Sequence, residues 1–377
     1  GTRCYSKNLV KIFRLTVCMA LVWVSTLCFG CTPATIRHFW KVDLNAGYSM
    51  VGKHPVPDDE VARVNAYRIE YNGRHQPVNI KYLRMGMLSA DPSFLGNEVA
   101  QVAFDYTENS EKRVFLDALE KPVYSLRLDS EVEHQTARLT FFDKRGKLLE
   151  MNGVATYVWA FDAKGRIVRS IHLDAQSRRI SDSSGVFEAR WHYDDTGRVA
   201  EERYYGEDGT LIASRGTSVA IVRRTYDDHE NKIEERYYGT RETLTNDESW
   251  GVAIIRYEYD DRGNIIAQSF YDTQELPVES RGGAATWRFV YDEAGNRIET
   301  RWYGSNGRLK KNSSGVAIYR VEYDEQGRYK TGRFYDADGN LTKSAQGYAV
   351  IQREYDAEGK VSRTIFLDES NRIIRQE

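Results

Sequence analysis

The stretch Ala253–Gly263, with the sequence AIIRYEYDDRG, contains an extended strand that runs into a tight turn. Side chains alternate between the two faces of a strand, so Tyr257 and Tyr259 share one face while Arg256 lies on the other. The aspartate at the head of the turn can accept a hydrogen bond from the backbone two residues further on, and the closing glycine adopts the positive φ that the turn requires. The stretch therefore predicts the first strand and first turn of a β-hairpin.

This strand and turn recur at a nearly constant interval through the C-terminal part of the 377-residue chain. The strand-end aromatic residues are separated by 32, 33, 33, 32, 32 and 32 positions and are Phe161, Tyr193, Tyr226, Tyr259, Tyr291, Tyr323 and Tyr355. An aspartate follows each aromatic, and a glycine lies four positions past it in every unit except one. That unit has Glu230 followed by Asn231, and we expect the asparagine to accommodate the left-handed backbone. The constant period indicates an internal repeat rather than a set of separate domains.

A second aromatic pair inside each unit, such as Tyr204-Tyr205 or Phe334-Tyr335, also runs into a turn. Each unit therefore contains two strands joined by tight turns, which is the pattern of a β-hairpin. A single hairpin cannot bury its apolar face, whereas stacked hairpins cover one another. The sequence predicts an all-β fold, an elongated and twisted array of about ten hairpin repeats that is solenoid-like or an open curved sheet. It leaves open whether this sheet closes, coils or stays open.

Weaker copies of the motif precede the regular ones. We place them at Tyr71-Asn72, Phe104-Asp105 and Leu128-Asp129, so that the repeats begin near Asn65. The predicted organisation is a signal peptide or membrane-anchor helix at 1–31, a tether at 32–64, degenerate N-terminal repeats or a cap at 65–154, and regular repeats at 155–377. The tether assignment depends on the prolines of that segment, which are typical of linkers.

The amino terminus has the layout of a bacterial export signal. Basic residues precede an uncharged stretch, Leu15–Ile36, whose central part is strongly apolar. Gly30-Cys31 resembles the bacterial lipobox, in which the cysteine becomes lipidated and forms the mature N-terminus. We expect lipidation at Cys31 in a protein of the bacterial cell envelope, with secretion to the periplasm or surface, or an uncleaved anchor, as the alternatives. All four cysteines lie at or before position 31, which excludes disulfides, thiolate metal sites and cysteine nucleophiles from the repeats.

The turn sequences YDDTGRV, YDDRGNI, YDEAGNR, YDEQGRY and YDAEGKV resemble the YD motif of bacterial RHS/YD-repeat proteins. The resemblance covers residues 155–377, or 65–377 if the weaker units are included. It implies an extracellular or envelope β-repeat protein that binds carbohydrate or encases a toxin. The period of 32–33 residues is longer than the usual spacing of that family, and the last residues still belong to a repeat. We therefore do not expect a toxin-carrying role.

Two rows of arginines recur with the repeat. Three positions before the strand-end aromatic stand Arg190, Arg223, Arg256, Arg288 and Arg320, and the second strands contribute Arg203, Arg236, Arg301 and Arg333. Guanidinium groups next to aromatic faces can hold sugar rings or acidic glycans, so these nine arginines are the predicted binding residues. The alternative is structural, because nearby glutamates can pair with the arginines across strands and the arginines can stack on tyrosines.

No catalytic residue and no metal site is predicted. The seven histidines are scattered without paired ligand spacing, and no motif of a nucleophilic hydrolase or nucleotide-binding enzyme occurs. The acidic residues recur at turns, whereas an active site is a single irregular place. We expect a non-catalytic binding or scaffolding protein without a cofactor, whose partner is a glycan or another envelope protein, and the net charge of -2 does not favour nucleic acid. The alternatives are an envelope carbohydrate-processing enzyme with its site in the degenerate N-terminal units, and a mechanical spacer.

Overall fold

The computed structural model describes residues 35–96 and 98–377, and this part of the chain is all-β. Its 25 strands form one antiparallel sheet whose hydrogen-bond pairing follows chain order from β11 onwards and does not close on itself. The described residues contain no α-helix, and their only helical elements are two 3₁₀ turns, Val61–Arg63 and Val132–His134. No helix in these ranges is long and apolar enough to cross a membrane. The predicted hairpin array is confirmed, while the predicted signal or anchor helix and Cys31 lie outside the described residues.

The N-terminal part of the sheet contains ten strands. They are β1 (Thr35–Leu44), β2 (Met50–Pro55), β3 (Asn65–Tyr71), β4 (Pro77–Arg84), β5 (Met87–Leu88), β6 (Gln101–Tyr106), β7 (Ser110–Leu116), β8 (Pro122–Glu131), β9 (Thr136–Asp143) and β10 (Leu148–Leu149). The order across the sheet is β2-β1-β3-β4-β6-β7-β8-β9. The short β5 pairs with the end of β4, and the short β10 pairs with the end of β9.

The predicted tether at 32–64 is wrong for the residues that the structure describes. Strands β1 and β2 occupy most of 35–55, and β1 lies between β2 and β3 in the sheet. The physical reason is burial: Phe39 and Val42 of β1 and Met50 of β2 belong to the main apolar cluster of the N-terminal strands. A linker would leave these side chains in water, whereas the strands bury them.

The regular repeats contribute the remaining strands, alternately six and seven residues long until the last. They are β11 (Thr156–Phe161), β12 (Ile167–Leu173), β13 (Glu188–Tyr193), β14 (Val199–Tyr205), β15 (Ile221–Tyr226), β16 (Lys232–Tyr238), β17 (Ile254–Tyr259), β18 (Ile265–Tyr271), β19 (Thr286–Tyr291), β20 (Arg297–Tyr303), β21 (Ile318–Tyr323), β22 (Tyr329–Tyr335), β23 (Val350–Tyr355), β24 (Val361–Leu367) and β25 (Ile373–Gln376). Strands β12 to β24 each pair with the preceding and the following strand, and β11 joins the N-terminal part through β9. The predicted unit of strand, turn, strand and turn is present throughout.

The first turn of each unit has the predicted chemistry. Asp260 Oδ1 accepts hydrogen bonds from the backbone N–H of Arg262 at 3.0 Å and of Asn264 at 2.8 Å. Gly263 closes the turn with a φ of 75°. In the unit that lacks this glycine, Glu230 itself adopts the left-handed conformation with a φ of 65°, so the expectation that Asn231 would do so is wrong. The turn fixes φ at its fourth position whichever residue stands there.

Two sets of hydrogen bonds connect neighbouring units beyond the strand pairing. The strand-end tyrosines donate to a backbone carbonyl of the preceding hairpin, in the pairs Tyr193–Ile167, Tyr226–Val199, Tyr259–Lys232, Tyr291–Ile265, Tyr323–Arg297 and Tyr355–Tyr329. At the other end of the strands, the long loops form backbone hydrogen bonds with one another. The Arg215 N–H, for example, donates to the Ser184 carbonyl at 2.8 Å. Neighbouring units are therefore linked at both ends of their strands.

The structure corrects the register of the weaker repeats. Phe104 lies inside β6, and the hydroxyl of Tyr106 at the end of that strand donates to the Pro77 carbonyl at 2.8 Å, as the regular tyrosines do. Leu128 lies inside β8, which continues to Glu131. The array also begins before Asn65, with β1 and β2. Only the copy at Tyr71-Asn72 is in the predicted place, since Asn72 Oδ1 accepts the same pair of turn hydrogen bonds as Asp260 does.

The sheet coils so that its later turns contact its first strands. The backbone N–H of Asn65, at the start of β3, donates to the Ala294 carbonyl at 2.8 Å, and its side-chain amide donates to Asn296 Oδ1 at 2.8 Å. The guanidinium of Arg262 stacks over Trp40 of β1 at 4.4 Å from the ring centroid. These contacts join the aspartate turns of later units to β1 and β3. The sheet is thus open in its hydrogen-bond pairing but coiled in space.

Candidate binding site

The nine predicted arginines share one face of the sheet, here called the arginine face. Four pairs of them lie directly opposite each other on paired strands: Arg190 and Arg203, Arg223 and Arg236, Arg288 and Arg301, and Arg320 and Arg333. Arg256 instead lies opposite Ser269. Two guanidinium groups in direct cross-strand positions repel each other, so the arrangement requires carboxylates between them.

Glutamates on the same face supply these carboxylates. Glu201 accepts from Arg203 Nε at 2.5 Å and from Arg223 Nε at 2.7 Å. The same geometry recurs where Glu234 pairs with Arg236 and Arg256, and where Glu299 pairs with Arg301 and Arg320. Each glutamate therefore bridges two units of the array.

The ion pairs determine how these carboxyl groups titrate. Burial alone would raise the pKa of Glu201, but the hydrogen bonds from Arg203 and Arg223 outweigh it and bring the pKa below its ordinary value. The same balance lowers the pKa of Glu234 and of Glu299. The arginine face is therefore a network of ionised side chains at neutral pH.

Tyrosines beneath the arginines complete this network. Arg190 lies over Tyr205 at 4.0 Å from the ring centroid, and Arg223 lies over Tyr238 at 4.5 Å. The protein thus has the structural arrangement that is the alternative to ligand binding, in which the arginines pair with glutamates across strands and stack on tyrosines. Whether the nine arginines also bind a ligand stays a prediction.

Arg288 differs from the other eight arginines. Its side chain is exposed, and within the described ranges no carboxylate lies within ion-pair distance of it. The cause is a sequence change on the neighbouring strand, where Ala267 pairs with Arg288 while Glu234 pairs with Arg256 and Glu299 with Arg320. Among the nine predicted binding arginines, Arg288 is therefore the one whose guanidinium hydrogen-bond donors are available to a ligand in the described part of the chain.

The structure brings three other predicted arginines into one groove. Arg301, Arg320 and Arg333 line a depression of about 680 Å³ together with Glu299 and Glu322. Arg333 pairs with Glu322 at 2.5 Å, so the charges of this groove are largely compensated.

A second cavity of about 480 Å³, here called the junction pocket, lies between β9 and β14, where the N-terminal strands meet the regular repeats. Its wall contains the aromatic side chains Phe141, Tyr157, Trp159, Trp191 and Tyr204 and the polar side chains Ser170, His172, Asp182 and Glu202. Its volume falls within the usual range of small-molecule sites, roughly 300–1,000 Å³. No feature used to predict the arginine face indicated this pocket.

The junction pocket exists because three positions of the repeat carry exceptional residues. Ala189 stands four positions before the strand-end aromatic, where the following units have Val222, Ile255, Trp287, Tyr319 and Ile351. Ser170 pairs with both Trp159 and Ala189, at a position that Glu202 and Glu235 occupy in the next units. His172 stands where the other units have the first member of the aromatic pair. Aligning the units would have revealed all three exceptions.

The polar groups of the pocket have defined states. His172 Nδ1 lies 2.9 Å from the Val186 carbonyl oxygen and donates to it, because a carbonyl oxygen only accepts. Burial lowers the pKa of His172, so the ring is neutral and its Nε2 is an acceptor. Ser170 is 2% exposed, and no group of the residues that the structure describes hydrogen-bonds its hydroxyl.

The two acidic groups of the pocket are already engaged. Asp182 Oδ1 accepts from the Ser184 backbone and hydroxyl and from the Val186 backbone. Glu202 pairs with Arg224 at 2.9 Å. Within residues 35–96 and 98–377, no group of three or more His, Cys, Asp or Glu side chains is placed to hold a metal ion.

Comparison with known proteins adds little to this description. No family model matches the sequence, and no curated protein matches it. The chain is similar to a solved structure of TcdB2-TccC3-TEV, with 10% identity, a TM-score of 0.25, and coverage of 89% of this chain and 21% of that chain. A structure of TcdB2-TccC3 without its hypervariable C-terminal region gives 11% identity, a TM-score of 0.23, and coverage of 92% and 20%. The chain thus spans about a fifth of these structures, and TM-scores this low support no conclusion about function.

Proposed function

We propose that this protein is a non-catalytic binding scaffold of the bacterial cell envelope, in which the repeat sheet presents ligand-binding surfaces. The observation that supports the absence of catalysis is the state of its carboxyl groups. Hydrogen bonds and ion pairs hold the pKa of 17 described aspartates and glutamates below its ordinary value. A glycosidase needs the opposite for its general acid, whose pKa is raised so that it holds a proton near neutral pH.

The construction of the sheet supports the scaffold part of the proposal. Each unit is linked to the next by tyrosine hydroxyls at one end of the strands and by loop-to-loop hydrogen bonds at the other end. The contacts of Asn65 with Ala294 and Asn296 connect the first strands to later repeats. Binding surfaces built on such rigid elements keep their geometry without a ligand.

The proposed partners are a glycan or another envelope protein. On the arginine face, Arg288 is the group most suited to an acidic partner, because its guanidinium is exposed and has no carboxylate within reach in the described part of the chain. Arginine donates in a planar fork that fits carboxylate and phosphate groups. Attachment to the envelope would come from lipidated Cys31, which mass spectrometry of the mature N-terminus tests: an unmodified Cys31 would remove that part of the proposal.

The decisive experiment separates binding from turnover. The full chain is incubated with purified bacterial envelope glycans, neutral and acidic, while calorimetry measures binding and mass spectrometry measures products. We expect binding without product, and weaker binding of acidic glycans by Arg288→Ala. Arg37→Ala is the matched control, since Arg37 is also an exposed arginine but lies in β1, outside the regular repeats at 155–377. Product formation that a single carboxylate substitution such as Glu202→Gln abolishes would show an enzyme instead. Absence of binding to every glycan and to envelope proteins would leave a mechanical spacer.

A further inference from the structure

We propose that the junction pocket binds one neutral saccharide ring. This inference rests on the proposed function, since it names the ligand class of one site on the scaffold. It uses the pocket on the face opposite the arginines and does not depend on Arg288. Among the regular repeats, the three exceptional residues Ser170, His172 and Ala189 occur together in one place, and all three line this pocket.

The space in the pocket comes from missing side-chain volume. Ala189 and Ser170 are cross-strand neighbours, so the two small residues leave adjoining gaps in the apolar layer. In the next unit the same pair of positions holds Val222 and Glu202, which fill the layer. Interiors normally pack at close to crystal density, and a void of this kind forfeits contacts that a ligand can restore.

The walls favour a ligand with a flat, weakly polar face. Trp191, Tyr157 and Tyr204 are each partly buried and line the cavity. The face of an aromatic ring carries partial negative charge, and the C–H groups on one side of a sugar ring carry partial positive charge, so the two pack face to face. Aliphatic ligands would also fit such walls, but they would leave the polar groups of the pocket without partners.

Those polar groups require hydroxyls on the ligand. The Ser170 hydroxyl has no hydrogen-bond partner in the described part of the chain, and a buried polar group in that state is destabilising. His172 adds an acceptor at Nε2, because its Nδ1 proton is committed to the Val186 carbonyl. A ligand hydroxyl can donate to the imidazole nitrogen, and another can exchange a hydrogen bond with Ser170. A saccharide ring presents several hydroxyls at its edge and therefore matches both groups.

The charges of the pocket disfavour an anionic ligand. Glu202 pairs with Arg224, and Asp182 Oδ1 accepts hydrogen bonds from the backbone and a hydroxyl of its own loop. An anionic ligand would therefore find no unpaired positive charge among these groups and would lie near two carboxylates. Burying an unpaired charge is costly, so a uronic acid should bind less well than the corresponding neutral sugar.

The test is a titration of the full chain with cellobiose and N-acetylglucosamine, followed by calorimetry and by tryptophan fluorescence. Glucuronic acid and phenol are the comparison ligands for charge and for a flat ring with a single hydroxyl. We expect saturable binding of at least one neutral saccharide, and Ala189→Ile should weaken it about tenfold or more, which corresponds to about 1.4 kcal/mol. Isoleucine is suited to this position because Ile255 occupies the equivalent one two units later.

Two further variants complete the experiment. Val222→Ile enlarges the same repeat position in the next unit and should leave binding unchanged, since Val222 does not line the pocket. Ser170→Ala keeps the size of the pocket and removes the hydroxyl, so it reports on the site if Ala189→Ile does not fold. No binding of a neutral saccharide, unchanged binding in both pocket variants, or a preference for phenol or glucuronic acid would overturn the inference. Retention of acidic glycans through Arg288 in that case would leave the proposed function standing.

Discussion

The hydroxyl of Tyr226 donates a hydrogen bond of 2.8 Å to the backbone carbonyl oxygen of Val199, in the preceding hairpin. The ring of Tyr226 also lies under the guanidinium of Arg198, at 4.9 Å, and Arg198 in turn bonds to Asp194 at the head of its own turn. The tyrosine of one unit is therefore tied to the aspartate turn of the unit before it. This relationship explains why tyrosine, rather than another aromatic residue, ends the first strand of almost every unit.

Removal of one such hydroxyl should weaken the array. Tyr259→Phe deletes the 2.8 Å hydrogen bond to the Lys232 carbonyl and leaves that acceptor without its partner. We expect the free energy of unfolding to fall by about 0.5–1.5 kcal/mol. Urea denaturation measures the change. Tyr205→Phe is the control, because the Tyr205 hydroxyl makes no hydrogen bond within the described ranges and its ring still lies under Arg190. Equal effects of the two substitutions would contradict the role assigned to the tyrosine hydroxyl.

The aspartate turns should make the protein less stable in acid. Burial alone would raise the pKa of Asp194, but hydrogen bonds from Arg198 and Thr196 outweigh it and lower the pKa to about 2. This folded-state value lies below the unfolded value of about 3.9, so the carboxylate contributes stability above about pH 4. That contribution is lost as the pH falls towards about 2, because the unfolded chain then binds the proton more tightly.

The control for this pH dependence is Asp194→Asn, which keeps an acceptor oxygen for the turn but has no charge to lose. At neutral pH the variant should unfold at lower urea concentration than the wild type. The difference should shrink as the pH approaches about 2, where the aspartate is protonated as well. A difference that stays constant from pH 7 to about pH 2 would show that ionisation of Asp194 does not stabilise the fold.

The local features of the fold could be predicted because they depend on neighbouring residues. The alternation in Tyr257 and Tyr259 and the hydrogen bonds of Asp260 need only a few residues of context, and the structure has both. The stacking of Arg262 on Trp40 joins residues far apart in the chain, and no repeat pattern encodes it. The tether prediction is wrong for the same reason. The prolines that indicate a linker are local in the sequence, whereas most of the residues that bury Phe39 are distant in it.

The candidate site could be predicted only in part. The glutamates beside the arginine rows indicated cross-strand ion pairs, and Glu201 and Glu234 form them. The repeat pattern does not predict the junction pocket, because the pocket results from two small side chains and not from chemically reactive ones. Ala189 and Ser170 are unremarkable residues until they are compared with their counterparts in the next units.

The unequal surroundings of two arginines on the same face give a third prediction. Arg256 pairs with Glu234 at 2.7 Å and Glu275 at 3.1 Å, and it covers Tyr271. Arg288 has none of these partners in the described part of the chain. Arg256→Ala should therefore lower the free energy of unfolding by about 1 kcal/mol, because half-exposed networks of this type are worth about that much. Arg288→Ala should change it by less than about 0.5 kcal/mol, as ordinary surface substitutions do. Urea titrations at low and high salt measure both, and only the Arg256→Ala effect should shrink at high salt.

The contact between the later turns and the first strands can be measured with two glycines in equivalent turns. Gly263 and Gly359 have φ angles of 75° and 79°, so alanine at either meets the same left-handed backbone strain, about 1–2 kcal/mol. A Cβ at Gly263 would lie 2.6 Å from His54 Nε2, whereas the nearest atom at Gly359 is 3.9 Å away. We expect Gly263→Ala to destabilise the protein by about 1 kcal/mol more than Gly359→Ala, the cost of overpacking. In a His54→Gly background, which removes the ring, the two alanine variants should become equivalent in urea denaturation. Equal effects already in the wild-type background would mean that the coiled sheet does not bring His54 against this turn.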